Sequence, residues 1–288
     1  MKELSSSDLV INPDGSIYHL NIRPEDLAHT IITVGDPDRV AVVSKYFDLI
    51  ELKKGKREFK THTGYIGNKR ISVISTGIGT DNIDIVMNEL DALVNINFNT
   101  RTIKPNPISL DIIRIGTSGA IQPDVEMGTI LASTHGIGLD ALMHYYTLNL
   151  NNEEQLIHDD LQTYFSDLNG INPYISKASE DLLASIGKNM AQGITVTAPG
   201  FYAPQGRLVR AENVHKNWIE KLNSFRSNDL RITNLEMETA GIYALAKVLG
   251  HKALSVNAIL ASRVKLEFSK QPDVIVEKAI KQVLERLS

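Results

Sequence analysis

Ile112-Ile-Arg-Ile-Gly-Thr-Ser-Gly-Ala-Ile-Gln122 is the stretch on which the reading of this chain turns. An apolar, strand-like run passes into a small Gly-rich segment that reads as a turn. One arginine, Arg114, stands inside the apolar run. A cation in such a place is costly unless an anion or an acid meets it. The turn after it offers backbone N–H groups and the Thr117 and Ser118 hydroxyls at one point in space. Together these read as a pocket for a small oxyanion, most simply phosphate.

Outward from this stretch, strand-like and helix-like segments alternate. Thr30 to Val34 is an apolar run ending at Gly35, and Asp36-Pro-Asp-Arg39 then opens a helix with Pro37 at its first position. Glu58 to Ile66 and Arg70 to Ser75 flank Gly67-Asn-Lys69 as a hairpin. Ser75-Thr-Gly-Ile-Gly79 is a strand-to-helix turn, after which Val86, Leu90, Leu93 and Val94 recur at helical spacing. Further strands are expected at Leu110–Ile115, Thr129–Thr134, Ile194–Thr197, Leu230–Leu235 and Ala253–Leu260. Helices are expected at Glu153–Leu168, Glu180–Met190, Ala211–Phe225 and Thr239–Leu249. The Thr239–Leu249 segment is apolar enough to be buried. Val276, Ile280, Val283 and Leu287 make a last amphipathic helix. Asn95 to Ser109, with Pro105 and Pro107, reads as an irregular insertion. The pattern predicts one α/β domain over residues 1–288, a mixed central β-sheet flanked by helices.

Bulk composition narrows the function. The chain has 288 residues, 42% apolar and 22% charged, with a net charge of −4. That balance, with no long basic run, argues against a nucleic-acid partner. The absence of cysteine excludes disulfides, thiolate catalysis and Cys-ligated metal, and fits the cytoplasm. Neither a signal-peptide core nor an apolar run of roughly eighteen residues is found, so no membrane association is expected.

Several residues carry candidate chemistry. Arg39, Arg57 and Arg114 lie near strand or turn positions, and each alone also reads as a surface charge or half of an ion pair. Arg39 stands at a helix start, where the macrodipole favours an anion rather than a cation, and Gly35 before it permits close backbone approach to a ligand. In Asn234-Leu-Glu-Met-Glu-Thr239, Glu236 and Glu238 would share one strand face and accept bonds from vicinal sugar hydroxyls. The plainer reading, favoured by spacing alone, puts them in the first turn of the next helix. Phe201-Tyr-Ala-Pro-Gln-Gly-Arg207 brings an aromatic face, an amide and a guanidinium together, as a heterocycle would need. On these residues alone, a solvent loop with one packed aromatic is the favoured reading. The eight histidines show no zinc-protease spacing. Dinucleotide, ATP and esterase signatures are likewise missing.

In its order of motifs the chain resembles the nucleoside phosphorylase family of trimeric or hexameric type, and within it the branch that cleaves uridine. The matching pieces are Gly35-Asp-Pro-Asp-Arg-Val40, Arg57-Glu-Phe59, Ser75-Thr-Gly-Ile-Gly79, Arg114 to Gln122, Phe201 to Arg207 and Glu236-Met-Glu238. The resemblance implies that Gly35, Arg39, Arg114 and Thr117 hold phosphate. Arg57 would be lent to that phosphate by a neighbouring subunit, and His19 would be lent to the ribose 5′-hydroxyl. Glu236, Met237 and Glu238 would contact ribose, Glu238 taking the 2′- and 3′-hydroxyls. Gln205 and Arg207 would read uracil, Phe201 would pack on it, and Arg263 would stand near the base. Ser262 occupies the place where purine-cleaving members and related nucleosidases carry an aspartate that protonates the purine; serine is no such acid. The family's monovalent cation site is matched by Glu58 and Ile78, with Asn82 in place of its serine.

The implied reaction is phosphorolysis of uridine, and of deoxyuridine as a related substrate, to uracil and the pentose 1-phosphate, in pyrimidine salvage. Arg207, Gln205 and Glu238 would carry it without an organic cofactor. Borrowed residues imply a homo-oligomer with shared sites, a dimer at least and a hexamer as the larger assembly. The alternatives are a purine nucleoside phosphorylase or nucleosidase of the same family, and a nucleoside-binding protein without turnover.

Overall fold

A computed structural model describes residues 3–168 and 170–287. From residue 3 an arm carrying one short 3-10 helix (Pro24–Asp26) leads into β1 (Thr30–Val34), the five-residue apolar run, fully buried. Asp36 caps α1 (Pro37–Ser44), its carboxylate accepting the Asp38 N–H at 2.8 Å, with Pro37 first in the helix. Three antiparallel strands follow: β2 (Leu49–Lys56), β3 (Phe59–Ile66) and β4 (Lys69–Ser75). Then come α2 (Thr80–Asn95), the short pair β5 (Ile96–Asn97) and β6 (Thr102–Ile103), and β7 (Asp111–Ala120). Next are β8 (Ile130–Gly138), α3 (Asn152–Tyr164), β9 (Tyr174–Lys177), α4 (Glu180–Ser185) and β10 (Ala191–Thr197). The last third holds α5 (Trp218–Ser224), β11 (Arg226–Ser227), β12 (Leu230–Glu236), α6 (Thr239–Leu249), β13 (Lys252–Ser262), β14 (Glu267–Phe268) and α7 (Pro272–Leu287).

The sheet runs β11-β12-β10-β8-β13-β7-β1-β4-β3-β2. Strand β12 also pairs with β7, Asn234 opposite Ala120 and Leu235 opposite Gly119. That extra pairing closes β7, β12, β10, β8 and β13 into a ring, from which β1, β4, β3 and β2 extend as an open sheet. The sheet is mixed, as expected: β1 pairs parallel with β4 and β7, and β8 pairs antiparallel with β13. Helix α6 is buried along Thr239–Ala246 and ends at Gly250, whose φ of 79° is the left-handed turn that releases the chain. The predicted apolar faces of α2 and α7 are buried as a set, Val86, Leu90, Leu93 and Val94 on one, Val276, Ile280, Val283 and Leu287 on the other.

Five expectations need correction. Gly116–Ala120 is no turn: β7 continues through it, pairing with β13 as far as Ser262 opposite Ala120. The Ala211–Phe225 helix shrinks to Trp218–Ser224; before it Val214 stays exposed and supplies no buried face. Helices α3 and α4 stop short of Leu168 and Met190. The insertion is partly ordered: Asn95 donates to the Ile108 carbonyl (3.1 Å) and accepts the Ile108 N–H (2.6 Å), and β5 pairs with β6 inside it.

Candidate active site

Arg114 leaves β7 and folds back over Gly116, where a Cβ would fall 1.8 Å from its Nη1. Glycine is therefore the residue that lets the guanidinium lie flat on its own strand. Nη1 donates to Asn257 Oδ1 at 3.0 Å and to Ser255 Oγ at 3.4 Å. Ser255 is the register partner of Arg114 on β13. Nη2 lies 2.9 Å from Glu236 Oε2 and 2.5 Å from Glu238 Oε2. Acids thus meet this buried cation. Burial pushes the guanidinium down, but the Glu236 and Glu238 charges outweigh it and hold Arg114 above its ordinary range.

The Arg39 side chain, in the first turn of α1, makes no hydrogen bond or ion pair among the described residues. Burial pushes it below its usual range; Asp36 opposes this and the Arg114 charge adds to it. Two mutually repelling guanidinium groups face one cleft whose wall includes Gly35 and Thr117. An anion between them relieves the repulsion.

Glu236 ends β12, and its carboxylate accepts the N–H groups of Glu238 (2.9 Å) and Thr239 (3.0 Å) and the Thr197 hydroxyl (2.7 Å). Glu236 thus stands in the strand rather than in the first turn of α6, while its carboxylate caps the first N–H of that helix. Glu238 stands at the N-cap position of α6, and its Oε1 accepts the Gly79 N–H at 2.8 Å. The two carboxylates do not share a strand face; the strand-to-helix turn folds them onto the same guanidinium. Burial raises Glu238 above the ordinary carboxylate range, with Arg114 opposing and Glu236 adding. Met237 lines the cleft between them.

At the far end the Arg207 guanidinium lies 3.7 Å from the centre of the Phe201 ring. Its Nη1 donates to Gln205 Oε1 (2.6 Å) and to the Phe201 carbonyl (2.7 Å). The loop holds this shape through Gly206 (φ 67°), where a Cβ would meet Ile219 at 2.6 Å, and through Trp218 Nε1, which donates to the Pro204 carbonyl at 2.7 Å. Burial, with the nearby Arg263 charge, pushes Arg207 down to about 10. Arg263 donates to the Gly206 carbonyl at 3.2 Å, and its buried Nε has no partner.

All three groups line a single cleft of 650 Å³. The model of the phosphorylase superfamily matches residues 29–288. The chain belongs to that superfamily.

Among its relatives within the superfamily, a uridine phosphorylase of Thermococcus kodakarensis is 31% identical over 260 residues, covering 89% of this chain and 81% of that protein. A uridine phosphorylase of Haemophilus influenzae is 28% identical over 274 residues, 93% of this chain and 96% of that one. The crystal structure of a Trypanosoma brucei nucleoside phosphorylase that shows uridine phosphorylase activity superposes with a TM-score of 0.89 at 30% identity, over 97% of this chain and 99% of that one.

In this superfamily member the remaining predicted residues divide. Glu58, Ile78 and Asn82 line the cleft, and a Cβ on Gly77 would sit 2.3 Å from Asn82 Nδ2 and 3.1 Å from Glu58 Cγ. Asn82 Nδ2 donates to the Ile78 carbonyl at 3.4 Å. Ser262 is buried, and its hydroxyl accepts the Lys265 N–H at 3.1 Å. His19 and Arg57 do not line the cleft of their own chain. The residues before them in the chain meet: Lys56 Nζ donates to the Tyr18 carbonyl at 2.6 Å, and Arg57 follows in a left-handed turn (φ 56°). Sequence reasoning missed Ser255 and Asn257, which anchor Arg114; their alternation with apolar neighbours in β13 was the available signal.

Proposed function

We propose that this chain is a uridine phosphorylase, transferring the ribosyl group of uridine to inorganic phosphate. The observation that carries the reading is the cleft itself. Arg39, its side chain without a protein partner among the described residues, and Arg114 face it at one end; the Phe201–Gln205–Arg207 cradle faces it at the other; Glu238 stands between. Phosphate held by Arg39, Arg114 and Thr117 is oriented beneath C1′. Its oxygen bonds to C1′ as the C1′–N1 bond breaks. The sugar becomes oxocarbenium-like and uracil departs as an anion, whose charge spreads over its oxygens and ring. Gln205 and Arg207 meet that charge, and the proton of hydrogen phosphate ends on uracil. Glu238 holds the ribose hydroxyls.

Ser262 supports a pyrimidine rather than a purine substrate, because a purine leaves with help from an acid that serine does not supply. The reading needs no organic cofactor and no metal step. The exclusion of His19 and Arg57 from their own cleft supports a homo-oligomer in which each chain completes another's site, a dimer at least and a hexamer as the larger assembly. The lack of cysteine fits a cytoplasmic enzyme. The test is a panel of uridine, deoxyuridine, inosine and adenosine with phosphate. Uridine is expected to turn over fastest; inosine or adenosine turning over faster would contradict the reading.

A further inference from the structure

The His19 loop is held by one carboxylate that the reaction itself does not use. Glu89 lies on α2 and is largely shielded from solvent. Its Oε1 accepts the His19 backbone N–H at 3.0 Å, and its Oε2 accepts the Leu20 N–H at 2.8 Å. The same Oε1 lies 2.7 Å from His19 Nδ1. A carboxylate offers only acceptor sites. Nδ1 must therefore carry the proton, which leaves Nε2 as the variable position of the ring. Nε2 has no partner among the described residues, and the ring is fixed edge-on between Tyr18 (4.7 Å) and Phe59 (6.1 Å).

From this geometry we infer that Glu89 is a positioning residue for the nucleoside 5′-hydroxyl: it locks His19 so that Nε2, the ring nitrogen without a partner among the described residues, is presented to the sugar bound in a neighbouring copy. The inference rests on the reading of His19 given above. Its content is that one carboxylate sets both the backbone path of the loop and the tautomer of the ring. A helix residue remote from the cleft thereby governs how well the 5′ end of the sugar is held.

The experiment compares uridine with 5′-deoxyuridine in the intact oligomer. The wild type is expected to favour uridine about tenfold in kcat/KM, the worth of one such hydrogen bond. His19→Ala should erase that preference. Glu89→Ala should erase it as well, through KM for uridine, while leaving 5′-deoxyuridine kinetics unchanged. Glu89→Gln, which keeps an acceptor for the loop amides, should recover part of it. Loss of the preference in His19→Ala but not in Glu89→Ala would overturn the role of Glu89 alone. Equal treatment of both substrates by the wild type would overturn the reading of His19 itself. An equal loss on both substrates in Glu89→Ala would mark a merely structural carboxylate and overturn the inference. Independently of any Glu89 variant, the ¹⁵N shifts of His19, assigned by their absence in His19→Ala, should show that Nδ1 carries a proton. The opposite tautomer would overturn the proposal.

Discussion

Arg114 Nη2 lies 2.5 Å from Glu238 Oε2, so the group proposed to bind phosphate and the group proposed to bind ribose are partnered with each other in the free protein. The second oxygen of Glu238 is also engaged, by the Gly79 N–H at 2.8 Å. The phosphate wall, the ribose wall and the start of α2 are thus one hydrogen-bonded unit, assembled before any substrate arrives.

Breaking this unit from the cation side should cost stability as well as activity. Arg114→Met leaves Glu236 and Glu238 buried without their cation, a change that commonly costs about 3–5 kcal/mol. Urea unfolding should show that loss, and phosphorolysis should be abolished. Adding Glu238→Gln removes one of the stranded charges. The double variant should recover part of the stability and none of the activity, and the non-additivity measures the coupling.

The acid limb of the pH profile should belong to Glu238. Burial raises this carboxyl above the ordinary range, with Glu236 adding and Arg114 opposing. Only the ionised form accepts hydrogen bonds from both ribose hydroxyls. As pH falls, protonation should remove activity with a midpoint above that of an ordinary carboxylate. Glu238→Gln should lower kcat/KM by about 10–100-fold, the worth of a bond to a charged group, and its remaining activity should lack that limb.

Arg207 should tolerate no replacement by lysine. Its plane lies over Phe201 while Nη1 joins Gln205, and an ammonium does neither in this geometry. Arg207→Ala and Arg207→Lys are both expected to cut kcat for uridine by about 10²–10³-fold, as loss of a donor to developing charge does. Thermal unfolding should stay near that of the wild type, because the side chain is only half-buried.

The sequence made the alternation of strands and helices legible, and with it the buried α6 and the hairpin of β3 and β4, because apolar periodicity follows burial directly. It misread Gly116-Thr-Ser-Gly119. Glycine commonly marks a turn, but here it makes room inside a strand, for the Arg114 guanidinium over Gly116 and for the Arg263 stem against Gly119. Strand β2 went unread because it lies at the sheet edge, where alternate residues face solvent and its lysines hide the pattern. The pairing of Glu236 and Glu238 with one arginine was likewise hidden. It depends on β12 meeting β7, a contact between segments more than a hundred residues apart. Glu89 left no trace beyond being one more polar residue on an amphipathic helix.

The most direct measurement is the fate of uridine with and without phosphate, with the sugar product identified. The account predicts no cleavage in phosphate-free buffer, a rate that saturates with added phosphate, and ribose 1-phosphate formed in step with uracil. Free ribose released without phosphate, or uridine left intact at saturating phosphate, would contradict it.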